Sequence, residues 1–280
     1  MNTDVALSCT SSINTLFALG SILAVVTMKI LLLNPNSSAT MTNSMELVAK
    51  SALATTTINV VSYTAPEAAP ISINNDKDIA CSTVAVMDHI FATQTNLQQY
   101  DAVLIACFSV HDLVHKLGAL TGKPIIGLFE ASILTALSLI SKSEKWGIVT
   151  TGKFWEQHLR DGVNDFLGVA RGVGNDNFAG VYSTGLSAIE FHSASEEVIQ
   201  SKLATAVTRL LESGDVKCVV LGCGGMTGLE QTMQSVAAKV LGHEKATRLY
   251  IVDGVRAGVA QLYFAATTRG MFRRDDGVAI

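Results

Sequence analysis

The sequence predicts an α/β protein of two pseudo-symmetric lobes, each built on a parallel sheet, with the active site in the cleft between them. From Met28 onward, short apolar runs alternate with longer stretches of helical period, the pattern of parallel α/β architecture. The runs are continuously apolar, as in Ile30-Leu31-Leu32-Leu33 and Val219-Val220-Leu221, so helices are expected on both faces of each sheet. Two strand-to-helix turns also recur at one offset. Lys29 matches Lys145 and Cys107 matches Cys223, and 145 − 29 and 223 − 107 both equal 116. A duplicated lobe explains that double match better than chance.

Taken in order, residues 1–27 precede the pattern. They read as a Ser/Thr-rich stretch followed by an apolar run at 16–26, too short to span a bilayer and lacking the basic region of a secretory signal. They are expected to be a non-essential or disordered extension. Strands are expected at 29–33, 57–62, 102–106 and 124–128, with helices at 38–55, 79–97 and 111–120 between them. The second half repeats this with strands at 145–149, 178–182, 217–221 and 248–252. Its helices are expected at 131–141, 152–166, 195–213, 228–241 and 254–267. Residues 28–127 with 253–270 form the first expected lobe, and 128–252 the second.

Composition narrows the function. Of 280 residues, 49% are hydrophobic and 16% charged, which suits a core-rich globular protein rather than a disordered chain. The net charge is −4 and no block of Lys or Arg occurs, so a nucleic-acid partner is disfavoured. No membrane partner is indicated either. The five cysteines, Cys9, Cys81, Cys107, Cys218 and Cys223, are odd in number and form no C-x-x-C pair. Reduced thiols in a cytoplasmic protein fit better than a disulfide framework. Gly222, Gly224 and Gly225 do not make a dinucleotide fingerprint, and neither a serine elbow nor a P-loop is present.

Cys107 and Cys223 each follow an apolar strand, where open parallel sheets gather their functional residues. If the lobes face each other, the thiols approach one cleft from opposite sides. That suits stereoinversion next to a carbonyl: one group removes a proton from one face and its twin returns one to the other. A free thiol near pKa about 8.5, lowered by helix N-termini, interconverts with its thiolate near neutral pH. Backbone N–H groups around Gly222-Cys223-Gly224-Gly225 are expected to stabilise a thiolate and a developing enolate. Neither metal nor cofactor is required. Cys218, inside a strand, and Cys81, in a helix, read instead as small buried hydrophobes.

The sequence resembles the hydantoin/allantoin racemase branch of the aspartate/glutamate racemase superfamily, and its fungal members most. The resemblance runs from Met28 to about Arg269 and rests on five segments. They are Leu33-Asn34-Pro35-Asn36-Ser37-Ser38, Ala106-Cys107-Phe108, Gly127-Leu128-Phe129-Glu130-Ala131, Val149-Thr150-Thr151 and Leu221-Gly222-Cys223-Gly224-Gly225-Met226. It implies flavodoxin-like lobes, racemisation without a cofactor, a small-molecule substrate and a homo-oligomer. It also implies that Cys107 and Cys223 are the two bases and that Asn36, Ser37, Phe108, Gly224 and Gly225 line the substrate pocket. Amino-acid racemases have Thr-His where this chain has Gly224-Gly225, which moves the substrate away from aspartate and glutamate. Ser109-Val110-His111-Asp112 departs from the Asp-Pro-Gly-type turn of bacterial hydantoin racemases, which leaves the exact substrate open.

Other residues fill out the expected site. Asn36-Ser37-Ser38 is expected both to cap a helix and to line the site. Thr150 and Thr151 occupy the equivalent turn of the second lobe. His111 is placed at the pocket mouth, to polarise a carbonyl or keep Cys107 ionised. Cys107, His111 and His115 recur every four residues beside Asp112, as metal ligands on one helix face would, but Cys107 falls at a strand end and breaks that register. Glu130 reads as a cap or an orienting residue, and Phe154 and Trp155 as packing. Two alternatives keep the fold: another reaction of the superfamily (amino-acid racemase, decarboxylase or isomerase), or a sensor whose thiols no longer catalyse.

Overall fold

The structure, a computed structural model, describes residues 28–53, 58–170 and 173–272; the expected extension at 1–27 lies outside them. Two four-stranded parallel sheets make up the architecture, in the same local strand order. The first runs β2(Ile58–Thr64), β1(Met28–Asn34), β3(Ala102–Ile105), β4(Ile125–Gly127). The second runs β6(Phe178–Ser183), β5(Lys145–Thr150), β7(Val216–Gly222), β8(Tyr250–Asp253). Strand for strand, β1 to β4 correspond to β5 to β8, which is the duplication that the offset implied. In both sheets the central pair carries the repeated turns.

Alternation along the strands explains why they are apolar throughout. Ile30, Leu32 and Leu104 face one core, while Leu31, Leu33, Val103 and Ile105 face another across the sheet. In the second sheet Trp146, Ile148 and Val220 join the first of these cores, and Val149, Val219 and Leu221 face a third. One core therefore runs through both lobes. Helices α4(Leu128–Leu139) and α9(Gly254–Phe272) pack on each other within it, and both reach strands of each sheet.

Helices α1(Ala39–Lys50) and α5(Phe154–Phe166) also pack into this shared core, while α2(Asp76–Ala92), α3(Leu113–Thr121), α6(Glu196–Leu211), α7(Glu230–Leu241) and the short α8(His243–Ala246) pack mainly on the other two. Sequence periodicity missed α8, a single turn. Several boundaries moved for local reasons. Asn75 caps α2 three residues earlier than expected, accepting from Asp78 N at 3.0 Å. Gln94, with φ +50°, stops it, and Leu97–Gln99 follows as a separate 3₁₀ turn. Helix α4 starts directly after β4 because the Glu130 carboxylate accepts from Gly127 N at 3.1 Å. Among the described residues, no helix is long and apolar enough to cross a membrane.

Candidate active site

The cysteine-bearing turns leave the carboxyl ends of β3 and β7. Strand β3 ends at Ile105; Ala106 follows, its N–H still bonded to Leu33 O at 2.8 Å, and the chain bends at Cys107. Strand β7 ends at Gly222, and Cys223 (φ −162°, ψ 141°) caps the 3₁₀ turn Gly224–Met226. Both thiols line one narrow cavity of about 30 Å³.

The first lobe contributes Asn36 from the turn after β1, Met41 and Met45 from α1, Ile73, and Phe108 beside Cys107. From the second come Thr151 after β5, Trp155 on α5, Ala188, and the turn of Gly222 to Gly225. None of these lining side chains is ionisable apart from the two thiols.

Asn36 is held by its oxygen. Oδ1 accepts from Asn34 Nδ2 and from Ser38 N, each at 2.9 Å, while Nδ2 touches Met41 Sδ at 3.4 Å. The buried amide therefore offers the cavity a donor. Ser38 caps α1, its hydroxyl accepting from Met41 N at 3.3 Å, so one loop both starts the helix and lines the site.

Gly225 sits where a Cβ would lie 2.6 Å from the Ala188 carbonyl oxygen, and at Gly224 one would lie 3.0 Å from Met45 Sδ. At Gly225 the turn nests against backbone that leaves no room for a side chain, whereas at Gly224 the flexible Met45 thioether need only shift slightly.

Electrostatics correct one expectation. Burial pushes the Cys107 thiol up to about 12, against a hydrogen bond from Ser109, and negative charge on Cys223 or Glu130 pushes the same way. Burial also raises Cys223, to about 11, opposed by the N–H groups of Gly225 and Met226. Helix-end donors do reach a sulfur here, as expected, yet desolvation outweighs them. Negative charge on Cys223 would raise Cys107 further, so the pair does not ionise twice, and both thiols are protonated near neutral pH.

Three expected pocket residues lie behind the cavity. Thr150 is fully buried and donates to Gly222 O at 2.7 Å, bracing the turn that carries Cys223. Ser37 donates to Ala69 O at 3.0 Å and so holds the segment leading to Ile73. His111 is 2% exposed; its Nδ1 accepts from Leu113 N and its Nε2 lies 3.0 Å from Ser82 Oγ. Since that hydroxyl donates to Ile79 O, the ring proton sits on Nε2 and points to Ser82. Burial lowers the histidine to about 4, so it is neutral and cannot supply charge to Cys107.

Other residues differ from the sequence reading as well. Trp155 both packs and lines the cavity, edge-on to His158 at 5.4 Å. Cys218 is buried in β7 as expected, but Cys81 is exposed on α2. Met41, Met45, Ile73 and Ala188 carried no signal in the sequence, because apolar residues on helices and loops read as core. Among the described residues no three His, Cys, Asp or Glu side chains come together as metal ligands.

Comparison with known proteins agrees with this arrangement. The family model described as Asp/Glu/Hydantoin racemase matches residues 30–262. A Schizosaccharomyces pombe protein, C1F7.10, is 32% identical over 250 residues, covering 89% of this chain and 96% of that one. The hydantoin racemase of Pseudomonas sp. strain NS671 is 28% identical over 232 residues, covering 83% of each chain. Among solved structures, the allantoin racemase from Klebsiella pneumoniae superposes with a TM-score of 0.69 at 25% identity, over 87% of this chain and 89% of that one. With a family match across most of its length and two sheets that end in one two-lobed cleft, the chain belongs to the Asp/Glu/hydantoin racemase family and is a racemase, an isomerase of that superfamily.

Proposed function

We propose that the chain racemises allantoin or a related 5-substituted hydantoin by two-base proton transfer through Cys107 and Cys223, without a cofactor. One observation carries the reading: the two thiols, at equivalent strand ends of duplicated lobes, line a cavity whose other side chains are all uncharged. An amino-acid zwitterion would leave its carboxylate and ammonium without counter-ions in so desolvated a site. A neutral ring avoids that cost. The close approach of Gly225 to Ala188 O also leaves no space for the Thr-His pair of amino-acid racemases.

In the proposed step, one thiolate takes the proton at ring carbon 5, breaking the C–H bond and forming S–H. The electron pair delocalises into the adjacent ring carbonyl as an enolate. The opposite thiol then delivers its proton to the other face and becomes the thiolate of the next turnover. Asn36 Nδ2 supplies a donor for a ring carbonyl, with its amide orientation set by Asn34 and Ser38. The same reading places the chain in the cytosol, where its thiols stay reduced, as a homo-oligomer acting in purine catabolism.

The test is solvent exchange. Purified protein is incubated in D₂O with one enantiomer of allantoin, then of a 5-alkylhydantoin, alongside Cys107→Ser and Cys223→Ser. Loss of optical activity with deuterium uptake at carbon 5, abolished in each variant, is the expected result. Uptake no faster than the uncatalysed rate for every hydantoin would remove the proposal.

A further inference from the structure

The two thiols are served by different donors. Cys223 takes its bond from the main chain, with Gly225 N 3.2 Å from Sγ. Cys107 has a side chain instead, the hydroxyl of Ser109, with Oγ 3.3 Å from Sγ. Ser109 is completely buried and is not among the residues lining the cavity. It therefore reaches the reacting atoms only through sulfur. We propose that Ser109 is a positioning residue that aims Cys107 and donates its hydroxyl proton to the thiolate when Cys107 is the base.

The chemistry of the two donors differs in a useful way. A backbone N–H can only donate, so it favours the thiolate form of Cys223 alone. A hydroxyl rotates: it accepts from the S–H of the thiol and donates to the thiolate. Ser109 thus serves Cys107 in both roles that a two-base cycle demands. The less raised thiol is Cys223, so when the pair loses one proton it leaves Cys223 first and Cys107 keeps its own. Each half-cycle that starts from the other enantiomer must move that charge to Cys107, where Ser109 receives it.

The kinetic part of this inference rests on the two-thiol reading above, but its main test does not require turnover. The full chain and Ser109→Ala are treated with iodoacetamide at pH 8.5, and alkylation is followed by peptide mass spectrometry at each cysteine. Below the thiol pKa, the rate tracks the thiolate fraction. Loss of a bond to a charged sulfur amounts to about one pKa unit, so Cys107 should react about tenfold more slowly while Cys223 is unchanged. Cys223 also controls for folding, because general loosening speeds both sites. Unchanged or faster alkylation at Cys107, or equal changes at both cysteines, overturns the proposal.

With substrate deuterated at carbon 5, Ser109→Ala should raise the isotope effect for only the enantiomer that Cys107 deprotonates. Equal effects in both directions also overturn it. If the unmodified chain exchanges no hydantoin yet Cys107 still slows in Ser109→Ala, the substrate reading fails and the role of Ser109 survives.

Discussion

At Cys107 and Cys223 the largest influence on the proton is burial, and this fixes how rate depends on pH. With both thiols raised, to about 12 and about 11, nearly all of each is protonated at neutral pH. In the proposed two-thiol step the active form has one thiolate, whose fraction grows tenfold per pH unit below the pKa. Exchange at carbon 5, followed by NMR at saturating substrate, should therefore rise about tenfold per unit from pH 7 to 9. A flat profile there would show that ionisation does not limit the step. Gly225 makes a second prediction at this scale. A methyl group at Gly225→Ala must displace the Ala188 carbonyl or the turn that carries Cys223, since 2.6 Å is far inside contact distance. The expected cost is about 1–3 kcal/mol in urea unfolding, with exchange reduced at least about tenfold.

Among the elements, the loops that follow strands do two jobs at once. The turn after β1 caps α1 through Ser38 and presents Asn36, while α1 itself places Met41 and Met45 on the cavity wall. The start of α9 is comparable. Asp253, at the end of β8, accepts from Val255 N and Arg256 N through Oδ1, each at 2.9 Å, and from Gly228 N through Oδ2 at 3.3 Å. One carboxylate thus caps α9 and ties down the segment that follows Cys223. Asp253→Ala should cost about 2–3 kcal/mol in chemical unfolding, because buried N–H groups lose their acceptor. It should also slow exchange more than it raises KM. A loss of stability with unchanged kcat would confine Asp253 to capping.

Over the whole molecule, a single core links the lobes, and a few polar contacts join them at the edges. Arg256 bonds Glu230 at 2.7 Å and reaches Ser51 O at 3.3 Å, and His158 Nδ1 lies 3.2 Å from Asp76 on α2. Buried titratable groups set the pH range of stability. His111, lowered from 6.5 to about 4, binds fewer protons folded than unfolded; its contribution is complete above pH 6.5 and is lost as pH falls toward 4. Cys107, Cys218 and Cys223 behave oppositely. Raised from 9.0 to about 11–12, they stabilise fully below pH 9 and lose that contribution as pH rises through their folded values. Unfolding free energy from urea titrations should form a plateau between about pH 6.5 and 9. Above it the decline should approach about 1.4 kcal/mol per pH unit for each thiol. Cys218→Ala, far from substrate, should make the alkaline limb shallower by one thiol's share.

Much of this molecule is written in local pattern. Continuous apolar runs announce eight parallel strands, and the shared offset of 116 announces two copies of one lobe. Because cysteine recurs at the same strand end in each copy, the pair at the centre of the site was legible too. These features are legible because strand period and chain spacing are properties of neighbouring residues.

What tertiary structure alone decided is which side chains meet water, substrate or one another. His111 looked like a pocket residue, yet α2 brings Ser82 over it and buries it neutral. Thr150 and Ser37 sit in the right turns but spend their hydroxyls on the main chain behind the cavity. Met41, Met45, Trp155 and Ala188 reach the site from helices and a loop whose sequence shows only apolar pattern. The thiol pKa values rose for the same reason. Desolvation comes from every element packed around a group, and no stretch of sequence carries that sum.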